Sequence, residues 1–488
     1  MSSILTNKSA MVALQTLKMI NSSLSKTQAE ISTGKKIASA KDNSSIWAIS
    51  KVMESDVKGF KGIAESLSLG ESTVAVARQA SETITGLLTD IKSKIVAAQE
   101  ENVDRAKIQT DISALRDQIT SVVNAAQFNG LNLLKGTADV NILSSLDRAP
   151  DGSVSASNIT ISRQDMSTTA GVLGTGTDLS ANAVLSATAA TNAGNTATVT
   201  IATDGDMSDN TLSLSIGGAT LNYSAGDLSG DQDAAASTIS GAINALGIVG
   251  VTASVSANVI TLTSTRAFED VSLAATGATA SASSIAERAE TLTFSASANV
   301  AEGDGYQITV GSNTFTFVAG KGETFEDVAK GLKAAVDGGT IAGLSTQVAQ
   351  NASNQWVLKI DNDSATSQSL ARAGAAGGTA SGGLFGLDTI NVTTNAGANA
   401  ALSNIENLIN NSIDAAANFG SAQGRIEIQS EFIGKLTDSL RAGIGTMIDA
   451  DMEEASARLQ ALQVQQQLGI QSLSIANQSP QSILSLFR

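Results

Sequence analysis

Few of the residue types that usually carry chemistry occur in this 488-residue chain. It contains no cysteine and no histidine, so it lacks thiolate chemistry, the commonest general base and the commonest metal ligand. The most suggestive carboxylates are Asp204, Asp206 and Asp209 in the segment DGDMSDN. Carboxylate oxygens suit Ca²⁺, but the segment lacks the central glycine and terminal glutamate of an EF-hand loop. A solvated acidic turn is the favoured interpretation, and we predict no catalytic, cofactor or metal site and no enzyme activity.

The acidic residues are concentrated in the middle of the chain. The formal net charge is −16, and between Asn141 and Asn395 there are 9 Lys/Arg against 23 Asp/Glu. The two flanks together hold 21 against 23 and are nearly neutral. This balance disfavours a nucleic-acid partner, because phosphate contacts need basic residues. The middle is expected to be well solvated, whereas the flanks can pack on one another.

Hydropathy excludes membrane insertion. No run approaches the roughly 18 consecutive apolar residues that a transmembrane helix needs. The first residues, MSSILTNKSAMVALQTLKMINSSL, lack a basic region followed by an apolar core, so no cleaved signal peptide is predicted. We therefore expect a protein that either stays in the cytoplasm or leaves the cell by a route without a cleaved signal.

Both flanks repeat apolar residues at alternating spacings of three and four, the period of a coiled-coil seam. The seam positions are Ala10, Ala13, Leu17, Ile20, Leu24, Thr27 and Ile31; Ile63, Leu67, Gly70, Val74, Ala77, Ser81, Ile84, Leu88, Ile91 and Ile95; Ile108, Ile112, Leu115, Ile119 and Val122; and Leu402, Ile405, Ile409, Ser412, Ala416, Phe419, Gln423, Ile426, Ser430, Ile433, Thr437, Leu440, Ile444 and Met447. The register then breaks at DADMEEA and resumes through Leu459, Leu462 and Gln466. The break indicates either a joint between two layers of helix or a seam that drifts.

Glycine and asparagine mark where these helices should end. ISTGKKIASAKDNSS (31–45) interrupts the first run with a glycine and a polar cluster. QFNGLNLLKGTADV (127–140) follows the third run with Asn-Gly, which is a strong signal for a tight hairpin turn.

The middle segment changes to a period of two. Alternating apolar and polar residues predict strands within 211–226, 250–265, 290–300, 305–320 and 354–363. Short helical patterns lie at 231–246 and 323–336. The order strand, strand, helix, strand, strand therefore recurs at about 205–265 and 290–362, as two repeats of a small α+β unit. TAATNAGNTA and RAGAAGGTASGGLFG are predicted to be linkers.

Three motifs resemble bacterial flagellins. EISTGKKIASAKDNSSIWAIS (30–50) is similar to the N-terminal flagellin pattern, QFNGLNLL to the flagellin turn, and IANQSPQSILSLFR to the end of a flagellin chain. The resemblance implies an α+β multidomain fold: a long coiled-coil-like helical core formed by both termini and a β-rich variable insert holding the two repeats. The implied domains are 1–44 with 450–488, the terminal helices of an inner filament core; 45–140 with 396–449, a helical bundle with a β-turn region; and 141–395, the variable outer part.

The resemblance also implies what the apolar C-terminal segment is for. In flagellins the terminal helices pair and meet neighbouring subunits inside the filament. The residues expected to pack there are Leu17, Ile20, Leu24, Ile31, Leu459, Leu462, Leu473, Ile483, Leu484 and Leu486. The implied protein is secreted without a cleaved signal peptide, assembles with itself into an extracellular filament for swimming, and meets the flagellar export apparatus, a secretion chaperone, the filament cap and hook-associated proteins. The alternative that 468–488 packs only on its own domain stays open.

Many flagellins also resemble one another where they dock into Toll-like receptor 5. There, an Arg and a Leu four residues later lie on the helix after the long turn, and a Glu on the following helix assists. The matching positions in this chain are Asp90, Lys94 and Asp111. Two of the three have changed character, so the resemblance implies a poor agonist.

Two other functions fit parts of the sequence. A hook–filament junction protein of the same superfamily would also have paired helical termini, although the SPQSILSLFR ending and the long flanks favour a flagellin. A surface adhesin or sugar-binding enzyme would need aromatic platforms or paired carboxylates. The middle segment offers only Tyr223, Tyr306, Trp356 and scattered phenylalanines, so this class ranks last.

Overall fold

A computed structural model describes residues 7–149, 153–202 and 207–486, with side chains up to residue 478. The chain divides into two compact units. The first, here called the terminal unit, comprises Met1–Ser72, Asn141–Ile161 and Ala422–Arg488. The second, the central unit, comprises Thr73–Val140 and Ser162–Ser421.

The helices follow the predicted heptads. They are α1 (Lys8–Thr33), α2 (Ser44–Ala97), α3 (Arg105–Ala125), α4 (Gln232–Ala245), α5 (Phe325–Gly338), α6 (Asn395–Ile448) and α7 (Met452–Leu486). All ten seam positions of α2 are buried, from Ile63 to Ile95. Every predicted seam position on α6 is buried or half-buried. The period of 3.5 residues therefore identified the packed faces correctly.

Two polar seam positions are explained by hydrogen bonds. In the central unit Ser412 of α6 donates to the Ser81 carbonyl at 3.1 Å, and Thr85 donates to the Ser412 hydroxyl at 2.9 Å. Ser81 and Ser412 are fully buried. Because buried hydroxyls cost free energy when they lack a partner, these bonds allow serine on an otherwise apolar seam.

The strands lie between α3 and α6. They are β1 (Gln127–Phe128), β2 (Leu131–Asn132), β3 (Val140–Arg148), β4 (Val154–Ile161), β5 (Ala183–Leu185), β6 (Ala189–Ala190), β7 (Asn195–Ile201), β8 (Leu212–Ile216), β9 (Ala219–Tyr223), β10 (Val251–Ser256), β11 (Val259–Ser264), β12 (Val271–Thr276), β13 (Ala278–Ala280), β14 (Ser284–Ile285), β15 (Glu290–Phe294), β16 (Gly305–Val310), β17 (Asn313–Val318), β18 (Leu344–Gln350), β19 (Trp356–Asn362) and β20 (Gln368–Ala375). A single 3₁₀ turn among the described residues covers Ser180–Asn182.

The Asn-Gly hairpin is confirmed. Strands β1 and β2 pair antiparallel, with Phe128 opposite Leu131. The two turn residues, Asn129 and Gly130, both have positive φ, at 48° and 81°. That geometry is the primed turn whose twist matches the flanking strands, and it favours Asn and Gly.

Strands β3 and β4 form a two-stranded sheet that the sequence did not predict. In the terminal unit it packs on α2 at Gly70, where a Cβ atom would lie 2.3 Å from Ile142 Cδ1. Gln429 of α6 donates to the Ser144 carbonyl at 2.9 Å. Glycine is therefore required at this seam position so that the sheet can approach the helix backbone.

The β-rich part of the central unit holds two repeats of one topology. In the first repeat the sheets have strand orders β10-β11-β7-β13 and β14-β12-β8-β9, and in the second β18-β19-β15-β5 and β17-β16-β20-β6. One helix completes each core, α4 in the first and α5 in the second. The internal repeat predicted from the sequence is therefore present as two split-sheet units.

The repeats are nested along the chain. Strands β5 and β6 precede the first repeat but pair with β15 and β20 of the second. The first repeat, Asn195–Ile285, is thus an insertion within the second. The predicted linkers were partly wrong, because 188–197 contains β6 and the start of β7 while 372–386 contains the end of β20.

Candidate assembly interface

Helices α1 and α7 pair in the terminal unit. On α1 the predicted seam residues Leu17, Ile20, Leu24 and Ile31 are half-buried. On α7, Leu462 is buried and Leu459 and Leu473 are half-buried, with the same alternating spacing. The two helices contact each other, and Gly469 of α7 lies next to Leu17 and Ile20 of α1. Helix α7 also includes Ile483, Leu484 and Leu486, but their side chains are not among those that the structure describes.

Three polar or small residues fix the register of this pair. Asn7 donates from Nδ2 to the Ala476 carbonyl at 2.8 Å, and its Oδ1 accepts from the backbone N–H of Ala10 as a helix cap. Gln466 donates to Asn21 Oδ1 at 2.7 Å. At Gly469 a Cβ atom would lie 3.2 Å from Leu17 Cδ1. Each contact opposes a slip of one helix along the other.

Both helices carry further apolar residues away from the seam. Met11, Val12, Leu14 and Met19 on α1 are 58–64% exposed. On α7, Val464, Leu468 and Ile475 are 55–69% exposed. These three, here called the outer stripe, are spaced by four and seven residues, so they lie on one helix face opposite the seam. A helix that is apolar on both faces is typical of one buried on all sides.

The predicted joint between helical layers is a defined turn. Helix α1 ends at Gly34, whose φ of 68° provides a left-handed cap. Helix α6 ends at Ile448, and its carbonyl accepts from the Lys36 N–H at 2.7 Å. Asp451 then caps α7 by accepting from the N–H groups of Glu453 and Glu454. The break at DADMEEA is therefore a change of helix rather than a drifting seam.

A small apolar cluster stabilises this joint. Ile37, Ile444 and Ile448 are buried, and Trp47 and Met447 are half-buried against them. Lys35 and Asp449 form an antiparallel bridge beside the cluster. The segment that follows α1 therefore packs against the junction between α6 and α7 and forms hydrogen bonds with it.

The three receptor-equivalent positions lie on α2 and α3 of the central unit. Lys94 Nζ lies 2.6 Å from Asp111 Oδ2, and both side chains are exposed. Asp90 lies one turn earlier on α2 and is also exposed. The structure thus brings Lys94 and Asp111 together as an ion pair between the helices and leaves Asp90 on the surface.

The described residues contain little that suggests catalysis. Among them, no group of three or more His, Cys, Asp or Glu is arranged to hold a metal ion. Asp209 is exposed, and Asp204 and Asp206 lie outside the described residues. No helix within the described residues is long and apolar enough to cross a membrane.

Comparison with known proteins gives the family. The bacterial flagellin N-terminal helical region matches residues 4–139 and the C-terminal helical region matches 402–487. Flagellin A and flagellin B of Rhizobium meliloti are 32% and 31% identical over 493 residues, covering 100% of this chain and 100% of each relative. The structure of FlgL from Xanthomonas campestris matches 80% of this chain and 98% of that chain, with 12% identity and a TM-score of 0.31.

Terminal helices that pair with each other, a β-rich segment between them in the sequence and exposed apolar helix faces are typical of a self-assembling structural protein. The full-length identity to flagellins makes the assignment specific: the chain belongs to the flagellin family. It is a structural subunit of the extracellular bacterial flagellar filament and serves swimming motility. The flagellin relatives favour this assignment over a hook–filament junction protein.

Sequence reasoning missed the outer stripe and the polar contacts of the α1–α7 pair. The outer stripe could have been found by looking for a second apolar face at helical spacing on α7. Asn7, Gln466 and Gly469 carry no such signal, because a single Asn, Gln or Gly occurs on most helices.

Proposed function

We propose that the α1–α7 pair is the surface through which subunits join into the filament. The observation that carries the proposal is the exposure of large apolar side chains on both helices, away from their shared seam. A monomer in water gains nothing from these residues, whereas a neighbouring helix pair would remove them from solvent. We assign to this pair the residues Leu17, Ile20, Leu24, Ile31, Leu459, Leu462 and Leu473. The family resemblance adds Ile483, Leu484 and Leu486, whose side chains lie outside the described residues.

The remaining parts have complementary roles in this proposal. Residues 1–44 and 450–488 supply the inner filament core, and 45–140 with 396–449 form a supporting bundle. Residues 141–395 lie on the outside of the filament, where an acidic and hydroxyl-rich surface is well solvated. Catalysis has no place in this arrangement, so we propose that the protein is not an enzyme.

Export precedes assembly in this proposal. Family membership supports passage through the flagellar export apparatus with help from a secretion chaperone, without removal of a signal peptide. Because the exposed apolar helices would associate prematurely inside the cell, a chaperone that covers them until export has a physical purpose. The hook-associated proteins and the filament cap are the partners expected at the two filament ends.

Truncation tests the assembly surface directly. Removing Leu468–Arg488 should leave a folded monomer that cannot polymerise, because the bundle is untouched while much of the α7 surface is lost. Seeded polymerisation followed by electron microscopy measures assembly, and circular dichroism checks that the helices of the bundle persist. Filament growth at the rate of the intact chain would refute the proposal.

A further inference from the structure

A polar cleft lies in the central unit between α5 and α6. Its volume is about 330 Å³, which is at the small end of the range for ligand sites. Helix α5 and the residue before its cap provide one wall, α6 provides the opposite wall, and the loop 382–386 closes a third side. The assembly surface described above involves none of these residues.

The charges lining the cleft are mostly negative. Its carboxylates are Glu323, Glu326, Asp327 and Asp414, and its lining includes one ammonium group, that of Lys330. Lys330 is already paired with Glu326 at 2.6 Å. Asp327 accepts from the N–H and hydroxyl of Thr324 as part of a capping box. A partly enclosed cleft in which negative charge predominates concentrates cations.

Glu323 has no cationic partner among the described residues. One carboxylate oxygen accepts from the Gly320 N–H at 2.8 Å. Burial raises the pKa of Glu323 to about 7, and the negative charge of Asp327 adds to the rise. A carboxyl group in this environment gains free energy from an arriving positive charge, because desolvation is then offset by an ion pair.

The other lining groups suit a small alkyl cation. The side chains of Asn407, Asn410 and Asp414 line the cleft from α6. They form no hydrogen bond or ion pair with another described residue, so their oxygens can accept from N–H donors. The rings of Phe317 and Phe385 lie with centroids 5.9 Å apart and also line the cleft. Aromatic rings offer contact to methylene groups and attract ammonium groups.

We propose that this cleft binds a primary ammonium group carried on a short alkyl chain. Glu323 and Asp414 supply the anionic partners, the amides of Asn407 and Asn410 accept hydrogen bonds, and the two phenylalanines contact the alkyl chain. The ammonium can come from a free diamine or from a lysine of a neighbouring subunit, since both present the same group. The proposal does not depend on the α1–α7 surface.

Calorimetric titration of the full-length monomer with 1,4-diaminobutane at low salt tests the proposal. We expect saturable 1:1 binding at pH 8. At pH 6 the affinity should fall about tenfold, because a group with a pKa of about 7 is about nine-tenths ionised at pH 8 and one-tenth at pH 6. Absence of saturable binding at pH 8 would overturn the proposal, as would binding of 1,4-butanediol with equal affinity.

Two variants and one control locate the site. Glu323→Gln should weaken binding at pH 8 at least tenfold and remove its pH dependence, and Asp414→Asn should weaken binding without changing the pH dependence. Glu302→Gln removes the same charge from an exposed residue outside the cleft and should bind like the parent. Equal losses in Glu302→Gln and Glu323→Gln would show a general charge effect and overturn the proposal.

Filaments distinguish the two sources of the ammonium. Diamine binding that persists after assembly assigns the cleft to a free amine. Diamine binding that disappears on assembly, together with altered polymerisation of Glu323→Gln, assigns it to a lysine of a neighbouring copy.

Discussion

Replacing the outer stripe of α7 should block polymerisation while leaving the monomer folded. The variant carries Val464→Gln, Leu468→Gln and Ile475→Gln. These side chains are 56%, 55% and 69% exposed, so the monomer loses little packing. Glutamine is a good helix former, and surface substitutions of this kind usually change the free energy of unfolding by less than about 0.5 kcal/mol each.

The expected effect on assembly is much larger. Full burial of a Val, Leu or Ile side chain is worth about 1.5–3 kcal/mol. Because somewhat more than half of each side chain is still exposed, burial on assembly should contribute about 1–1.5 kcal/mol for each, or about 3–4.5 kcal/mol for all three. Each 1.4 kcal/mol is about a factor of ten in an equilibrium constant, so the critical concentration should rise by at least about a hundredfold.

A matched control separates the position of the residues from their chemistry. Val172, Val184 and Val249 are exposed in the central unit, at 65%, 55% and 81%. Changing all three to Gln removes a similar apolar surface away from α1 and α7. Seeded polymerisation followed by light scattering gives the critical concentration, and circular dichroism reports the fold. Equal critical concentrations for the two triple variants would refute the reasoning.

Four further predictions follow from the structure. Removing 192–286 and joining the ends with a short Gly/Ser linker should preserve filament formation, visible by electron microscopy, because that segment is an insertion with its own core. The protein should activate Toll-like receptor 5 reporter cells poorly, and Asp90→Arg with Lys94→Leu should raise the response. Asp361→Asn should cost about 3 kcal/mol of unfolding free energy, measured by denaturant titration, because it leaves the buried Arg288 guanidinium with only the exposed Asp363 carboxylate as an anionic partner. As the pH rises from 4.5 to 7, the parent should lose stability relative to Glu323→Gln. In this range the folded chain, in which the pKa of Glu323 is raised, binds more protons than the unfolded chain. Thermal melts across the range check the sign.

The ion pair in the third of these predictions connects the two repeats. Arg288 follows the first repeat and donates to both carboxylate oxygens of Asp361 in β19 at 2.8 Å. The side chains are only 7% and 3% exposed. Lys359 pairs with Glu287 beside them and also donates to the Phe268 carbonyl at 3.3 Å. Because the Arg288–Asp361 pair is bidentate and buried, it fixes the orientation of the segment after the first repeat relative to β19.

The helices could be predicted because their packing repeats locally. On α2 every seam residue from Ile63 to Ile95 was identified, since one helix needs only a consistent apolar face. The end of α1 at Gly34 and the turn at Asn129–Gly130 could also be predicted, because positive φ at these positions favours few residue types. The buried and half-buried residues of α1 and α7 have the same spacing.

The strands were predictable only where Thr and branched residues alternate. Strands β8–β11, β15–β17 and β19 have that alternation and were found. Strand β12 buries only Val271 and Leu273, and β20 buries only Leu370 and Gly374, so their alternating patterns are short and weak. The pairing of β5 with β15 spans about a hundred residues, and no local pattern specifies which distant strand completes a sheet. The cleft between α5 and α6 was likewise invisible, because its two walls are far apart in sequence.

The nested order of the repeats has a consequence for how the chain folds. The first repeat, Asn195–Ile285, is contiguous and can fold as soon as it has been made. Strands β5 and β6 have by then been synthesised, but their partners β15 and β20 have not. During synthesis β5 and β6 therefore stay unpaired until β15 and β20 have been made. Bringing these distant strands together closes a long loop, which carries an entropic cost. The second repeat should consequently be the slower of the two to fold and the more exposed to mispairing, with β5 and β6 as the last strands to dock.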